Sequence, residues 1–351
     1  MERGSVQGPQ VSDLAVGLTT SIGTLPHHDS QAAVDFVLRC HPHLPANPQL
    51  PNRSMLERRL PQAAWGIEGV SVMADGSLQI DSAGIDREAP YSDPTFAGEP
   101  FVTLRTFLAA MAQRRGPAKF QLTGPVTLGV ALSLAGLAPE VAFALSGTVV
   151  RSRARDLLAL VAQQAPEVAP LVFVDEPSLL GCLEPGFPID AEAALDLVST
   201  VLATLEPCAI TGLRCSPRGG LSPSVDWPLI LQTGPAVLAV PVQTQASLVP
   251  AASAVGQFLE RGGCLAWGTV PTEGPVGSSA GLLWRQLSAL WCALVQGGCD
   301  AGRLRSQALV TPAGGLGWHS VEQAGVVLAL VDELAQRLYD QATGLRLSVG
   351  A

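Results

Sequence analysis

The chain has 351 residues with 30 acidic and 21 basic side chains, and 47% of its residues are apolar. That much apolar material can bury a large core, which excludes an intrinsically disordered protein. A formal net charge of −9 without any basic run argues against a nucleic-acid partner, because phosphate binding needs clustered Lys and Arg. Lys119 is the only lysine, which argues against Schiff-base chemistry, and the sequence contains no Walker-type phosphate loop.

The cysteines and the first residues favour a cytoplasmic protein. The seven cysteines are widely spaced and form no C-x-x-C pair, as expected of reduced cytosolic thiols. Residues 1–13 are polar and lack the apolar stretch of a signal peptide. The most hydrophobic window, residues 128–150, is divided by Pro139 and Glu140 into pieces shorter than the ~20 residues that span a bilayer. We therefore expect no membrane partner.

Short apolar runs alternate with longer helical patterns along most of the chain. The strand-like runs are residues 18–25, 69–73 (a weaker run), 118–122, 171–174, 208–213, 236–240, 264–267 and 307–310. Helical patterns cover residues 31–40, 126–135, 140–164, 191–205, 250–261, 280–296 and 321–343. Continuous apolar strands separated by helices are typical of a parallel sheet covered on both faces.

About eight strands in a chain of this length favour an α/β fold of the (β/α)8 TIM-barrel class. An open dinucleotide-binding sheet is disfavoured, because no G-x-G-x-x-G follows the first strand. No repeat, charge block or long linker marks a second domain, so residues 1–351 are expected to form a single barrel, with its core at about 17–345. Residues 42–100 are irregular and rich in proline, and we expect this N-terminal segment to cover one mouth of the barrel.

Polar residues follow several predicted strands, at the end where barrel enzymes carry their active sites. Asp175 and Glu176 follow the fourth strand, where they could bind a substrate amino group or handle a proton. The alternative is that both complement the dipole of the next helix. Arg214 follows the fifth strand and could bind an anionic substrate group, or hold its neighbour Cys215 as a thiolate.

Four further side chains are candidates for the same mouth. His27 and His28 end the first predicted strand and suit a general acid or base, although the adjacent Asp29 reads as a helix cap. Arg53 in the proline-rich segment could grip a substrate carboxylate or remain solvated. Trp267 could line a pocket for a flat substrate or pack in the core.

Five short motifs occur in a family's order over about residues 17–345: I-G-T-L-P at 22–26, L-T-G-P-V-T at 122–127, V-D-E-P at 174–177, Cys215-Ser216, and P-x-x-G-L at 312–316. In this combination the chain resembles the barrel superfamily that contains cobalamin-independent methionine synthase and uroporphyrinogen decarboxylase. The catalytic domain of methionine synthase is the closer match.

The resemblance implies methyl transfer to a thiol such as homocysteine, from a folate or corrinoid donor. It implies that Asp175 contacts the substrate amino group. It also implies a catalytic zinc, of whose ligands only Cys215 is present. Leu213 stands at the histidine position, Gly314 or a near neighbour at the second cysteine position, and residues 236–245 contain no acidic residue. The implied zinc site is therefore incomplete unless distant residues such as His27 or His28 substitute. The alternative for Cys215 is a buried, small apolar side chain at the end of a strand.

Two other functions stay open at this point. One is a metal-free decarboxylase related to uroporphyrinogen decarboxylase, although that enzyme's arginine-rich opening motif is absent here. The other is a catalytically silent barrel that binds a small molecule, which is what the loss of zinc ligands would leave. The expected partners are a small-molecule substrate and either a second copy of the chain or a corrinoid protein.

Overall fold

The computed structural model of the protein describes residues 8–85, 96–216, 225–274 and 277–349. Its strands are β1 (Val70–Val72), β2 (Leu78–Ile80), β3 (Gly116–Thr123), β4 (Val168–Asp175), β5 (Ile210–Arg214), β6 (Val237–Pro241), β7 (Cys264–Val270) and β8 (Ala308–Pro312). Its α-helices are α1 (Ser30–Cys40), α2 (Arg59–Ala64), α3 (Val102–Met111), α4 (Pro125–Leu134), α5 (Pro139–Gln164), α6 (Ala191–Leu205), α7 (Trp227–Leu231), α8 (Gln245–Leu248), α9 (Ala252–Glu260), α10 (Ala280–Gln296), α11 (Ala301–Ser306) and α12 (Val321–Val349).

Strands β3 to β8 form one parallel sheet in which each strand lies beside its neighbours in the chain. A doubly wound sheet reverses its strand order at a switch point, whereas the order here never reverses. The sheet is a curled half-barrel, consistent with a TIM-like α/β fold. Its register places Thr123, Asp175 and Arg214 side by side at the carboxyl ends of β3, β4 and β5.

The prediction of a closed eight-stranded barrel is wrong. Residues 18–25, predicted as the first strand, pair with β8 only through an isolated bridge from Thr19 to Val310. The weaker run at residues 69–73 does contain a strand, but β1 pairs with β2 in a small antiparallel hairpin outside the main sheet. The described part of the chain therefore has a six-stranded main sheet.

Irregular chain lies along both edges of this sheet. Beside β3, Ala46 bridges Lys119, and the flanking Pro45 and Pro48 have no N–H group to extend the pairing. Beside β8, the segment turns at Gly23, whose φ of 123° lies outside strand conformations. Pairing therefore stops after a single bridge at each edge of the sheet.

The predicted helices form within a few residues of their expected bounds because their start signals are local. The Asp29 carboxylate caps α1 by accepting a hydrogen bond from the Ala32 N–H at 2.8 Å. Helices α4 and α5 each begin at a proline, Pro125 and Pro139, whose missing N–H costs nothing in a first turn.

The two faces of the sheet bury separate sets of apolar side chains. Along β4, Leu171 and Phe173 pack inside the curl, whereas Val172 and Val174 pack against the helices. Gly212 on β5 makes room for Phe173, because a Cβ there would lie 2.7 Å from the aromatic ring. An inner layer of this kind forms the floor below the carboxyl ends of the strands.

The described helices include none that is both long enough and apolar enough to pass through a bilayer.

Candidate functional site

A cavity of about 580 Å³ opens at the carboxyl ends of the strands. One wall comes from the N-terminal irregular segment and the other from the ends of β5, β7 and β8. Its charged lining residues are Glu57, Arg58, Arg59, Asp75, Arg214 and Glu273. Of the segment predicted to cover this mouth, residues between 49 and 76 line the cavity, and residues 86–95 lie outside the described residues.

Arg214 is the most buried of the positively charged side chains that line this cavity. Its Nη1 lies 3.8 Å from Oδ1 of Asp175, and the two side chains are 8% and 10% exposed. Burial lowers the pKa of Arg214 and Asp175 opposes that shift, so the guanidinium stays charged. Asp175 is not among the residues that line the cavity. Asp175 contacts Arg214, and its negative charge attracts the guanidinium. A catalytic role for Asp175 remains a prediction.

The wall close to Arg214 is richer in positive charge than the rim. Arg59 lies near enough to Arg214 to lower its pKa further, and no ion pair engages the Arg59 side chain among the described residues. Glu57 is already engaged, because its carboxylate accepts hydrogen bonds from Arg53 Nε at 2.9 Å and from the Thr103 hydroxyl at 2.7 Å. An anionic group in the cavity would therefore meet Arg59, which has no ion pair among the described residues, and would share Arg214 with Asp175.

Ser216 adds a hydroxyl to the same wall. Its Oγ is buried and has no hydrogen-bond partner within the described ranges. A buried hydroxyl without a partner is costly unless a ligand or water satisfies it.

Glu176 points away from the cavity and holds the start of α4. Its Oε1 accepts the Val126 N–H at 2.8 Å, and its Oε2 accepts the Thr127 N–H at 2.8 Å and the Thr127 hydroxyl at 2.7 Å. Gly124 makes this contact fit, because a Cβ there would lie 2.0 Å from Oε1. Burial raises the pKa of Glu176 to about 7 despite these donors. The geometry gives Glu176 a structural contact, and the predicted substrate contact has no support from it.

The two histidines do not meet at the cavity. His27 is buried against Phe36 of α1, with ring centroids 4.9 Å apart, and burial lowers its pKa. His28 is exposed, and its Nδ1 lies 2.9 Å from the Asn52 carbonyl oxygen. Neither lines the cavity.

Arg53 binds two carboxylates of the protein itself. Its Nε donates to Glu57, and its Nη2 donates to Glu99 Oε1 at 2.9 Å. The predicted grip on a substrate carboxylate would first require these contacts to break. Trp267 is fully buried and packs edge-on against Trp291 of α10, with centroids 6.2 Å apart, so it lies in the helix-facing core.

Cys215 faces the opposite side of the sheet from Arg214, because adjacent residues of an extended chain alternate. It is fully buried, and burial, aided by Glu176 and Asp175, raises the pKa of its thiol well above the ordinary range. Zinc binds the thiolate, which this environment disfavours. Within the described ranges, no three His, Cys, Asp or Glu residues stand close enough to hold a metal. The residues present do not fit the zinc that the family resemblance implies.

Sequence reasoning missed three residues near this mouth. Arg58 and Arg59 line the cavity, and their adjacency in the proline-rich segment was the signal. Lys119 is 2% exposed inside the curl. Its signal was a lone charge in the middle of the apolar run at residues 118–122.

The motifs that carry the resemblance mostly build the frame of this site. The Thr24 carbonyl oxygen accepts the Leu316 N–H at 2.9 Å, which joins the first motif to the last. Glu176 joins V-D-E-P to L-T-G-P-V-T through the contacts to Val126 and Thr127. The motifs therefore reflect contacts between the loops that pack together at the mouth of the cavity.

The sequence matches no protein-family model and no curated protein. The structure is similar to a crystal structure from Listeria monocytogenes that is provisionally assigned as a vitamin-B12-independent methionine synthase, with a TM-score of 0.51 and 12% identity. The match covers 88% of this chain and 86% of the other. At this identity the likeness supports the α/β fold and extends no further.

Proposed function

We propose that this chain is a methionine-synthase-like protein that binds a small carboxylate-bearing molecule, with an amino acid as the favoured ligand, at the carboxyl ends of its strands. The observation that carries the proposal is Arg214, a buried cation on the wall of a 580 Å³ cavity. A guanidinium in a poorly solvated site binds carboxylates through charge-assisted hydrogen bonds. Arg59 supplies a second cation beside it, and the exposed Asp75 and Glu273 at the rim suit an ammonium group.

Methyl transfer to the thiol of a bound amino acid is the reaction that the fold likeness favours. It needs a thiolate, and a free thiol is mostly protonated at neutral pH. Because the described residues do not fit zinc, we derive no step through that metal. Transfer of labelled methyl to homocysteine, with methyltetrahydrofolate and with a methylcorrinoid as alternative donors, tests this reaction separately from binding.

Calorimetric titration with methionine, homocysteine and oxalate tests the binding site. Arg59→Met should weaken binding about 10- to 100-fold, the range expected for charged hydrogen bonds of about 1.5–3 kcal/mol. Arg214→Met should abolish it, with circular dichroism to confirm folding. The matched control is Arg261→Met, an exposed arginine just before β7, at the opposite end of the strands from the cavity. Binding of none of these ligands by the unmodified protein, or unchanged binding by both cavity variants, would refute the proposal.

A metal-free decarboxylase is the second candidate, and the observation that favours it is the trio Arg58, Arg59 and Arg214 on one cavity. Several guanidinium groups suit a substrate with more than one carboxylate. Release of carbon dioxide from polycarboxylate substrates, lost in Arg214→Met and kept in Arg261→Met, would establish this function in place of methyl transfer.

A further inference from the structure

Lys119 is the only lysine of the chain, and it lies inside the curl of the sheet behind the cavity wall. Its Nζ donates to the Ile22 carbonyl oxygen at 2.9 Å and lies 3.3 Å from Gln121 Oε1. Ile22 itself lines the cavity. The amine is therefore separated from the cavity by one residue of the wall.

The contacts of Nζ suit a neutral amine as well as an ammonium. Two acceptors satisfy the two N–H bonds of a neutral amine, and among the described residues only the Phe173 ring, 5.0 Å away, remains for a third. A ring face attracts a cation only weakly compared with a carboxylate. The hydrogen bonds of Nζ therefore favour neither charge state of Lys119, and the nearby charged groups determine which one is present.

Two charged groups face Lys119 from the elements packed against it. Asp175 of β4 favours the ammonium, Arg214 of β5 opposes it, and the bridging segment around Ala46 contributes no titratable group. Burial lowers the pKa of Lys119 to about 7, so the amine changes charge near neutral pH. When both Lys119 and Arg214 are charged, Asp175 is the carboxylate among the described residues that compensates the two cations.

We propose that Lys119 takes up a proton from solvent when an anion binds at Arg214, so that the site binds ligand and proton together. The anion supplies the second negative charge that an ammonium at Lys119 needs. This inference rests on the binding function proposed above and deepens it, because it ties the affinity of the site for a negatively charged group to pH.

Calorimetry with sulfate or oxalate, both fully ionised above pH 6, measures the proton uptake in pairs of buffers with different ionisation enthalpies. At pH 8 we expect uptake of up to about one proton per anion, with little uptake at pH 6, where Lys119 is already charged. Above pH 7 the affinity should fall by up to about tenfold per pH unit. In Lys119→Met both effects should vanish.

The single lysine also allows a direct measurement on the unaltered protein. With isotope-labelled lysine, one side-chain NMR signal reports the titration of Lys119, and saturation with oxalate should move its midpoint to higher pH. An anion that binds without proton uptake and without moving this midpoint overturns the inference and leaves the binding site standing. If neither sulfate nor oxalate binds the unaltered protein, the inference is overturned, and if methionine and homocysteine also fail to bind, the proposed binding site is overturned with it.

Discussion

Replacement of Glu176 tests the assignment of this carboxylate to the start of α4. Glu176→Ala removes the acceptor of two buried backbone N–H groups and of the Thr127 hydroxyl. A buried donor left without a partner costs about 1–3 kcal/mol, so the free energy of unfolding should fall by about 3–5 kcal/mol. Glu176→Gln keeps the volume and one carbonyl oxygen and should cost about 1–2 kcal/mol at pH 8.

The raised pKa of Glu176 predicts in which direction the stability of the protein changes with pH. The pKa of Glu176 is raised from 4.5 to about 7, so the folded state holds this proton more firmly than the unfolded state. Its contribution to stability is therefore fully present below pH 4.5 and is lost as the pH rises through 7. The pKa difference corresponds to about 3 kcal/mol. Glu176→Gln lacks this titration, so it should lose more stability relative to the unmodified protein at pH 5 than at pH 8.

Urea unfolding followed by circular dichroism between pH 5 and pH 8 measures both effects. The exposed Glu184, which lies beyond β4, provides the matched control in Glu184→Gln and Glu184→Ala. Equal pH dependence of the unmodified protein and Glu176→Gln would refute the reasoning on protonation. A Glu176→Ala variant as stable as Glu184→Ala would refute the role at α4.

Two further predictions concern the inside and the outside of the sheet. Gly212→Ala places a Cβ 2.7 Å from the Phe173 ring and should lower the free energy of unfolding by about 1–3 kcal/mol. Adding Phe173→Leu should recover part of that loss, and Gly281→Ala, which meets nothing within 4 Å, should cost nothing. Thermal denaturation measures the stability of these variants, and equal stability of Gly212→Ala and Gly281→Ala would contradict the packing argument. Cys215→Ser should destabilise by about 1–2 kcal/mol by placing a hydroxyl in an apolar core, and elemental analysis should find its metal content unchanged. Loss of bound zinc in this variant would contradict the placement of the thiol.

The helices and the parallel strands could be predicted because their signals are local. Asp29 and Pro125 mark helix starts through contacts within one turn, and the apolar run at residues 171–174 lies in a strand buried on both faces. The polar residues that follow β4 and β5 were rightly expected at the carboxyl ends of the strands.

Sheet closure and the direction of each side chain depended on tertiary structure. Residues 18–25 are as apolar as a strand, but the turn at Gly23 ends their pairing with β8, and Pro45 and Pro48 end the pairing of the next segment with β3. Arg214 and Cys215 are adjacent in sequence, yet one reaches the cavity and the other the helix-facing core. Propensity and capping act over a few residues, so local sequence was enough to predict the helices and the buried parallel strands. Which charges meet at the mouth followed from the fold, because it depends on register and burial across strands distant in the chain.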